Sequence, residues 1–297
     1  MDMNPNSVIE SAAAKAAGLG RDRAIGAILI DAGRLTVGGA EKILREQKAH
    51  GQRFGDAAIA LGLLKQVDIE FALSRQFDYP ILHAGDGSVS EELVAAFKPH
   101  SPIVEQLRAL RSQLMVRGIG EADARSLAIV SAEKGDGRSF IAANLAVVFS
   151  QLGERTLLID ADLRCPRLHE LFKFDPRSAG LSSLLSGRAG SEAIVRVPSL
   201  VGLSVLPAGT VPPNPQELLA RSQFSRLLEQ VGKSFDVIIV DTPAAAASAD
   251  ASILAARAGS ALLLARRDFT TTPALLALKA SLSAANTRLV GAVLNSF

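Results

Sequence analysis

From Ser126 onward, short runs of Val, Ile and Leu recur between longer amphipathic or small-residue stretches, and this alternation constrains the fold more than any other feature. The strand candidates are SLAIVSA (126 to 132), RTLLIDA (155 to 161), GLSVLPA (202 to 208), FDVIIVD (235 to 241), SALLLA (260 to 265) and LVGAVLN (289 to 295). They are nearly continuous in apolar residues, as strands covered on both faces require. Helical patterns lie between them at 139 to 152, 216 to 232, 248 to 257 and 273 to 285. The predicted fold class is α/β, a mostly parallel sheet wrapped by helices. Ligands of such sheets gather at the carboxyl ends of the strands.

The first strand runs into SAEKGDGRSF and then the helix IAANLAVVFSQ. Gly135 and Gly137 allow a tight turn that presents backbone N–H groups to an anion, and the helix N-terminus adds its positive end. Gly135, Asp136, Gly137, Arg138 and Ser139, with Phe140 following, form the predicted phosphate-binding segment. Against the pattern G-x-x-x-x-G-K-[ST] it departs twice, with Ala132 in place of the first glycine and Arg138 in place of the lysine. The second strand ends LLIDADLR, which sets Asp160 and Asp162 two residues apart and on one side of an extended chain. The fourth candidate ends in Asp241. Taken singly, such residues are helix caps. Together, facing a glycine turn with the Ser139 hydroxyl, they are what magnesium bound to phosphates needs, and they predict a nucleotide site.

The 297 residues suffice for two domains at about 150 residues each, and the N-terminal part carries an internal repeat. IGAILIDAGRLTVGGAEKILREQ (25 to 47) lies over FGDAAIALGLLKQVDIEFALSRQ (54 to 76) without a gap, superposing Gly26 on Gly55, Gly33 on Gly62, Leu44 on Leu73 and Gln47 on Gln76. Each unit reads as a short helix stopped by Gly33 or Gly62, then a second helix. The expected apolar faces are Ile28, Leu29 and Ala32 with Ala40, Ile43 and Leu44 in the first unit. In the second they are Ala57, Ala58 and Leu61 with Ile69, Ala72 and Leu73. Gly, Ser and Pro punctuate the following stretch, giving a helical domain over 1–82, a linker over 83–101 and the sheet domain over 102–297.

Composition excludes several classes. A lone Cys165 permits no intramolecular disulfide, and His50, His83, His100 and His169 show no metal-ligand spacing, so no zinc is expected. With 32 Lys+Arg against 30 Asp+Glu and 4% aromatics, dedicated nucleic-acid binding is not expected. The longest charge-free apolar stretch, 139 to 153, is shorter than the roughly 20 residues of a membrane span. The start, MDMNPNSVIESAAAK, lacks an apolar signal core, and the expected location is cytoplasmic.

The segments GDGRS, LLIDADLR and VIIVDTP are similar to the Walker A, Walker A′ and Walker B motifs of bacterial tyrosine kinases, relatives of the MinD and ParA ATPases with a P-loop fold. VEQLRALRSQL, GLSSLLSG (180 to 187) and LPAGTVPPNPQELL (206 to 219) extend the match over roughly residues 100 to 295, which looks most like the EpsG-type autokinases of exopolysaccharide chain-length control. The resemblance implies that residues 135 to 139 hold the phosphates of ATP and that Ser139, Asp160 and Asp241 organise Mg2+. It further implies that Arg138 takes the lysine's role, that Asp160 or Asp162 accepts the tyrosine proton, and that Asn295 contacts the base. Glu105, Arg108 and Arg111 match the E-x-x-R-x-x-R helix that joins family subunits into a homo-oligomeric ring; as residues alone they also fit a solvated helix face with charge pairs three apart.

The implied partner is a membrane-embedded polysaccharide copolymerase, which would hold the protein peripherally at the inner membrane. Family kinases carry a tyrosine cluster beyond the last strand. Here the sequence ends LNSF, so the implied acceptor is Tyr79 or a tyrosine of another protein. The repeat resembles the MshE-N domain of secretion and pilus ATPases, some of which bind cyclic di-GMP. Arg53, Gly55, Gly62 and Gln76 match its motif, while Ala24 breaks it in the first unit. Two further readings stand beside the kinase: a non-enzymatic, nucleotide-gated assembly factor, and a MinD-like ATPase. The latter is disfavoured by Glu133 where its signature lysine belongs.

Overall fold

A computed structural model describes residues 24–76, 81–82, 85–121 and 124–296; Tyr79 and His83 lie outside the described residues. The repeat folds as two consecutive helix pairs, α1 (Ile25–Asp31) followed by α2 (Val37–His50) and α3 (Phe54–Ala60) followed by α4 (Gln66–Gln76), packed crosswise, chiefly α1 against α4 and α2 against α3. Gly33 and Gly62 end the first helix of each pair in the left-handed region, at φ 68° and 65°. In both, the residue after the glycine donates to the helix, Arg34 to the Leu29 carbonyl at 2.9 Å and Leu63 to the Ala58 carbonyl at 3.1 Å. This is the 6→1 bond of a Schellman cap, repeated at the sequence period.

The core of the repeat holds Ile28, Leu29, Ala40, Ile43, Ala57, Ala58, Ile69 and Ala72 as expected. Ala32, Leu44 and Leu61 fall outside it, exposed to solvent. The left-handed turn is the reason: it reverses the chain one residue after Ala32 or Leu61 and brings Leu35 and Leu64 into the core instead.

Beyond the repeat, helices are α5 (Val94–Phe97), α6 (Pro102–Val116), α7 (Arg138–Gln151), α8 (Leu168–Leu171), α9 (Leu181–Leu185), α10 (Pro215–Ala220), α11 (Ser222–Val231), α12 (Asp250–Ala258) and α13 (Thr272–Ala284). Strands are β1 (Ser126–Ser131), β2 (Thr156–Asp160), β3 (Val195–Arg196), β4 (Leu203–Leu206), β5 (Val237–Asp241), β6 (Ser260–Arg266) and β7 (Arg288–Asn295). They form one sheet in the order β3-β4-β2-β5-β1-β6-β7, parallel throughout except for the antiparallel edge pair β3 and β4. Alternate residues serve opposite faces. Leu158 of β2 and Ile239 of β5 pack with α6 and α7, whereas Leu157, Ile159, Ile238 and Val240 pack with α9 to α12. Helix α7 is buried along most of its length, which accounts for its apolar character all round.

Three expectations need correction. The two-residue strand β3 carries no pattern of its own. The stretch 216 to 232 is two helices, because Arg221 between them is extended, at φ −66° and ψ 156°. The chain divides into units Met1–Ile81 and Leu82–Phe297, and the stretch 83–101 taken as a linker belongs to the second. Its Val89, Leu93, Ala95 and Ala96 are core residues. Buried Asn144 of α7 fixes this packing, accepting from the Ala95 N–H at 2.9 Å and donating to the Glu92 carbonyl at 3.0 Å. No helix among the described residues is long and apolar enough to cross a membrane.

Candidate nucleotide site

Because the strands are parallel, the turn after β1 and the last residues of β2, β5, β6 and β7 share one edge of the sheet. A cleft of about 670 Å³ opens there, lined by Gly135, Gly137, Arg138, Ser139, Phe140, Asp162 and Asn295, among others. The turn is shaped by two left-handed glycines, Gly135 and Gly137, both at φ 92°, the second standing at the start of α7.

Asp136 turns its side chain inward. It is fully buried, its carboxylate accepting from the Glu133 N–H at 3.0 Å and the Thr270 hydroxyl at 2.7 Å. The Asp136 side chain therefore braces the loop from behind. Asn295 donates to the Asp136 carbonyl at 3.2 Å and so ties the end of β7 to the turn while lining the cleft.

Arg138 is also buried. Its Nε donates to the Thr242 carbonyl at 2.7 Å, and Nη1 donates to the Glu133 carbonyl at 2.8 Å and to the Ser131 hydroxyl. An arginine spreads these bonds over two nitrogens in a fixed plane, whereas a lysine would have to make them all from a single nitrogen.

Asp160 and Asp241 are register partners on adjacent strands β2 and β5, so their side chains leave the sheet on the same side. Both are fully buried. Oδ1 of Asp160 accepts from the Asp162 N–H at 3.3 Å, and Oδ2 accepts from the N–H groups of Arg167 at 3.3 Å and Leu168 at 3.0 Å. Neither oxygen of Asp241 is in a well-formed hydrogen bond among the described residues. Burial pushes Asp241 up to about 7, against the nearby Ser139 hydroxyl and the charge of Arg138, which pull it down. Burial and then the Asp241 carboxylate hold Asp160 well above the ordinary range, opposed by the Leu168 N–H.

Two desolvated carboxylates side by side, one without a well-formed hydrogen bond among the described residues, form a site short of positive charge. A magnesium ion fits it. No three His, Cys, Asp or Glu side chains group as a ready-made cation site among the described residues. A magnesium that takes one or two carboxylates and completes its shell with phosphate oxygens and water needs no such group.

The cleft also holds residues that the motifs did not single out. Arg164 lies two residues beyond Asp162, inside LLIDADLR, and donates through Nε to Asp250 at 2.7 Å. Arg167 pairs with Glu92 at 3.0 and 2.7 Å. Arg164 was legible from its place in the motif; Glu92, from the stretch read as linker, carried no local signal.

The remaining predicted residues lie elsewhere. On α6, Arg108 pairs with Glu105, and Arg111 donates to the Val148 carbonyl at 3.1 Å. In the repeat, Gly55 packs so closely under Ile69 that a Cβ would meet Cγ2 at 3.2 Å, and Gly62 is the cap described above. Close packing thus accounts for Gly55 and left-handed backbone conformation for Gly62. Arg53 is exposed at the start of α3 and Gln76 closes α4.

Residues 125–292 match the family model of the cellulose biosynthesis protein BcsQ. The tyrosine-protein kinase YwqD of Bacillus subtilis is 36% identical over 70% of this chain and 86% of its own length. A putative tyrosine-protein kinase in the cps region of Klebsiella pneumoniae is 38% identical over 62% of this chain, but the match takes in only 25% of that protein. Among solved structures, the chimerical protein CapA2B2 superposes with a TM-score of 0.65 at 32% identity, covering 76% of this chain and 98% of that one. The kinase domain of Escherichia coli tyrosine kinase ETK gives 0.65 at 35% identity, covering 69% and 79%. The cell division ATPase MinD of Pyrococcus furiosus gives 0.51 at 27% identity, covering 58% and 72%. The chain therefore belongs to the BcsQ/MinD-like P-loop family, in the company of the bacterial tyrosine-protein kinases.

Proposed function

We propose that this protein is an ATP-dependent protein-tyrosine kinase of exopolysaccharide chain-length control and export. It works beside a membrane-embedded copolymerase that holds it at the cytoplasmic face of the inner membrane. The observation that carries the reading is the pair Asp160 and Asp241, in register and buried beside a glycine turn. Relatives named as tyrosine kinases support it.

In this reading the N–H groups of residues 135 to 139 bind the phosphates, and Ser139, Asp160 and Asp241 hold magnesium. Bound there, the ion neutralises charge on the phosphate oxygens during transfer. The tyrosine hydroxyl oxygen bonds to the γ-phosphorus as the bond to the β–γ bridging oxygen breaks, and ADP leaves. Asp162 accepts the tyrosine proton, since it lines the cleft and takes backbone N–H groups through Oδ1 alone, whereas both oxygens of Asp160 accept them. Glu105, Arg108 and Arg111 serve a homo-oligomeric ring, and Asn295 meets the base. Arg53 and Gln76 are the residues through which the repeat would meet cyclic di-GMP.

A second reading, a nucleotide-gated assembly factor without transfer, is favoured by one observation: Nε and Nη1 of Arg138 are already bonded to Thr242, Glu133 and Ser131. One experiment separates the two. Purified protein with ATP and magnesium, alone and with tyrosine-bearing tails of candidate copolymerases, is mapped for phosphotyrosine by mass spectrometry. The kinase reading expects phosphotyrosine that disappears in Asp160→Ala and Asp162→Ala. Its absence from the wild type with every acceptor overturns that reading in favour of the assembly factor.

A further inference from the structure

Two arginines of the cleft are held in opposite ways. Arg138 has Nε and Nη1 committed to the protein and is buried. Arg164 is exposed and fastened at one point, its Nε donating to Oδ2 of Asp250 at 2.7 Å. Asp250 is fully buried at the start of α12, and its Oδ1 has no partner among the described residues. The terminal nitrogens of Arg164 make no hydrogen bond among the described residues, and the side chain lines the cleft with Asp162. Asp162 in turn accepts from the Arg164 N–H at 3.2 Å, so the backbone at Arg164 is fixed as well.

This arrangement leaves the fork of a guanidinium free while its stem is held. Two terminal N–H₂ groups in one plane match two oxygens of a phosphate, and anchoring Nε reduces the freedom lost on binding. The other cations lining the cleft are differently placed or differently shaped: Arg167 is taken by both oxygens of Glu92, Arg266 reaches the Gly135 carbonyl at 3.4 Å, and Lys134 offers a single ammonium in place of a planar fork. We infer that Arg164 binds the γ-phosphate of the nucleotide and that Asp250 is the positioning residue that holds it there. The inference rests on the proposed nucleotide site. It assigns to Arg164 the contact that the motif pattern would give to Arg138.

The test is binding, measured with magnesium and two fluorescent probes, a non-hydrolysable ATP analogue and ADP, on the full chain. Arg164→Ala is expected to weaken the ATP analogue by roughly 10- to 100-fold, the range of a lost charge-assisted hydrogen bond, while ADP changes by less than about twofold. Arg164→Lys restores part of the loss, because one ammonium cannot serve Asp250 and phosphate as a fork does. Asp250→Asn, which still accepts from Nε, weakens the ATP analogue by about threefold to tenfold and leaves ADP alone. A purely structural role would move both probes together. The inference is overturned if Arg164→Ala binds the ATP analogue as the wild type does, or loses ADP equally. Should Asp250→Asn fail to fold by circular dichroism, the exposed Arg164→Ala decides. A wild type that binds both probes but makes no phosphotyrosine sinks the kinase reading alone; one that binds neither sinks both.

Discussion

The helical repeat and the sheet unit are stabilised on different terms. In the repeat the buried side chains are apolar or small, with Ser74 the one polar residue buried among those described. The sheet unit buries Asp136, Arg138, Asp160, Asp162, Asp241 and Asp250. Buried charge is costly, and a fold retains it where something offsets the cost. Asp136 and Asp160 are offset by N–H and hydroxyl donors, and Asp250 by Arg164. Asp241 has no well-formed hydrogen bond among the described residues, only the nearby Ser139 hydroxyl and the charge of Arg138, and it ends its strand beside the glycine turn. The repeat is thus built to pack, whereas the sheet edge keeps buried charge that the proposed magnesium and nucleotide would offset.

The contrast is open to direct attack. The largest effect is expected at the edge: Asp241→Ala should lower phosphotyrosine formation by about 100- to 1,000-fold in a magnesium assay, whereas exposed Leu44→Ser in the repeat should leave it within about twofold. Equal losses would end the distinction. In the repeat, Ile43→Ala removes a fully buried side chain and should cost about 2–5 kcal/mol, read by denaturant titration followed by hydrogen exchange in residues 24–76. Exchange rising equally in both units would contradict a separate core.

A third effect depends on pH. Asp241 is raised in the folded protein from 3.8 to about 7, so its contribution to stability is whole below about pH 4 and is lost as pH rises through about 7. In chelator, the wild type should therefore lose several degrees of melting temperature between pH 5 and 8 relative to Asp241→Asn, at roughly 2–4 °C per kcal/mol. Parallel curves would show that Asp241 does not titrate in that window. The smallest effect is at Gly62, where a Cβ meets open space but φ is +65°. Gly62→Ala should cost about 1–2 kcal/mol for backbone conformation alone, and Gly62→Asn less.

Much of this was legible in the sequence, where one physical cause acts locally. Strands buried on both faces show as apolar runs, and all six candidates fall within two residues of observed strands. Gly33 and Gly62 revealed the repeat because a left-handed cap selects glycine. The acids Asp160, Asp162 and Asp241 were legible through their place at strand ends. What escaped reading was decided by tertiary contact. Leu93, Ala95 and Ala96 sit among Gly, Ser and Pro, yet Asn144, distant in sequence, draws them into the core. The inward turn of Asp136 depends on Thr270, and the capture of Arg138 on Thr242. Neither pairing leaves a trace in local pattern.

The central claim is that Asp160 and Asp241 form an acidic pair completed by magnesium and nucleotide together. Melting of the full chain with a non-hydrolysable ATP analogue, with magnesium or with chelator, tests it most directly. At about 1,000 times Kd, binding contributes roughly 4 kcal/mol, on the order of 10 °C. The account predicts that gain in the wild type only when magnesium and nucleotide are both present, and little of it in Asp241→Asn. An equal gain in chelator, or an undiminished gain in Asp241→Asn, would contradict it.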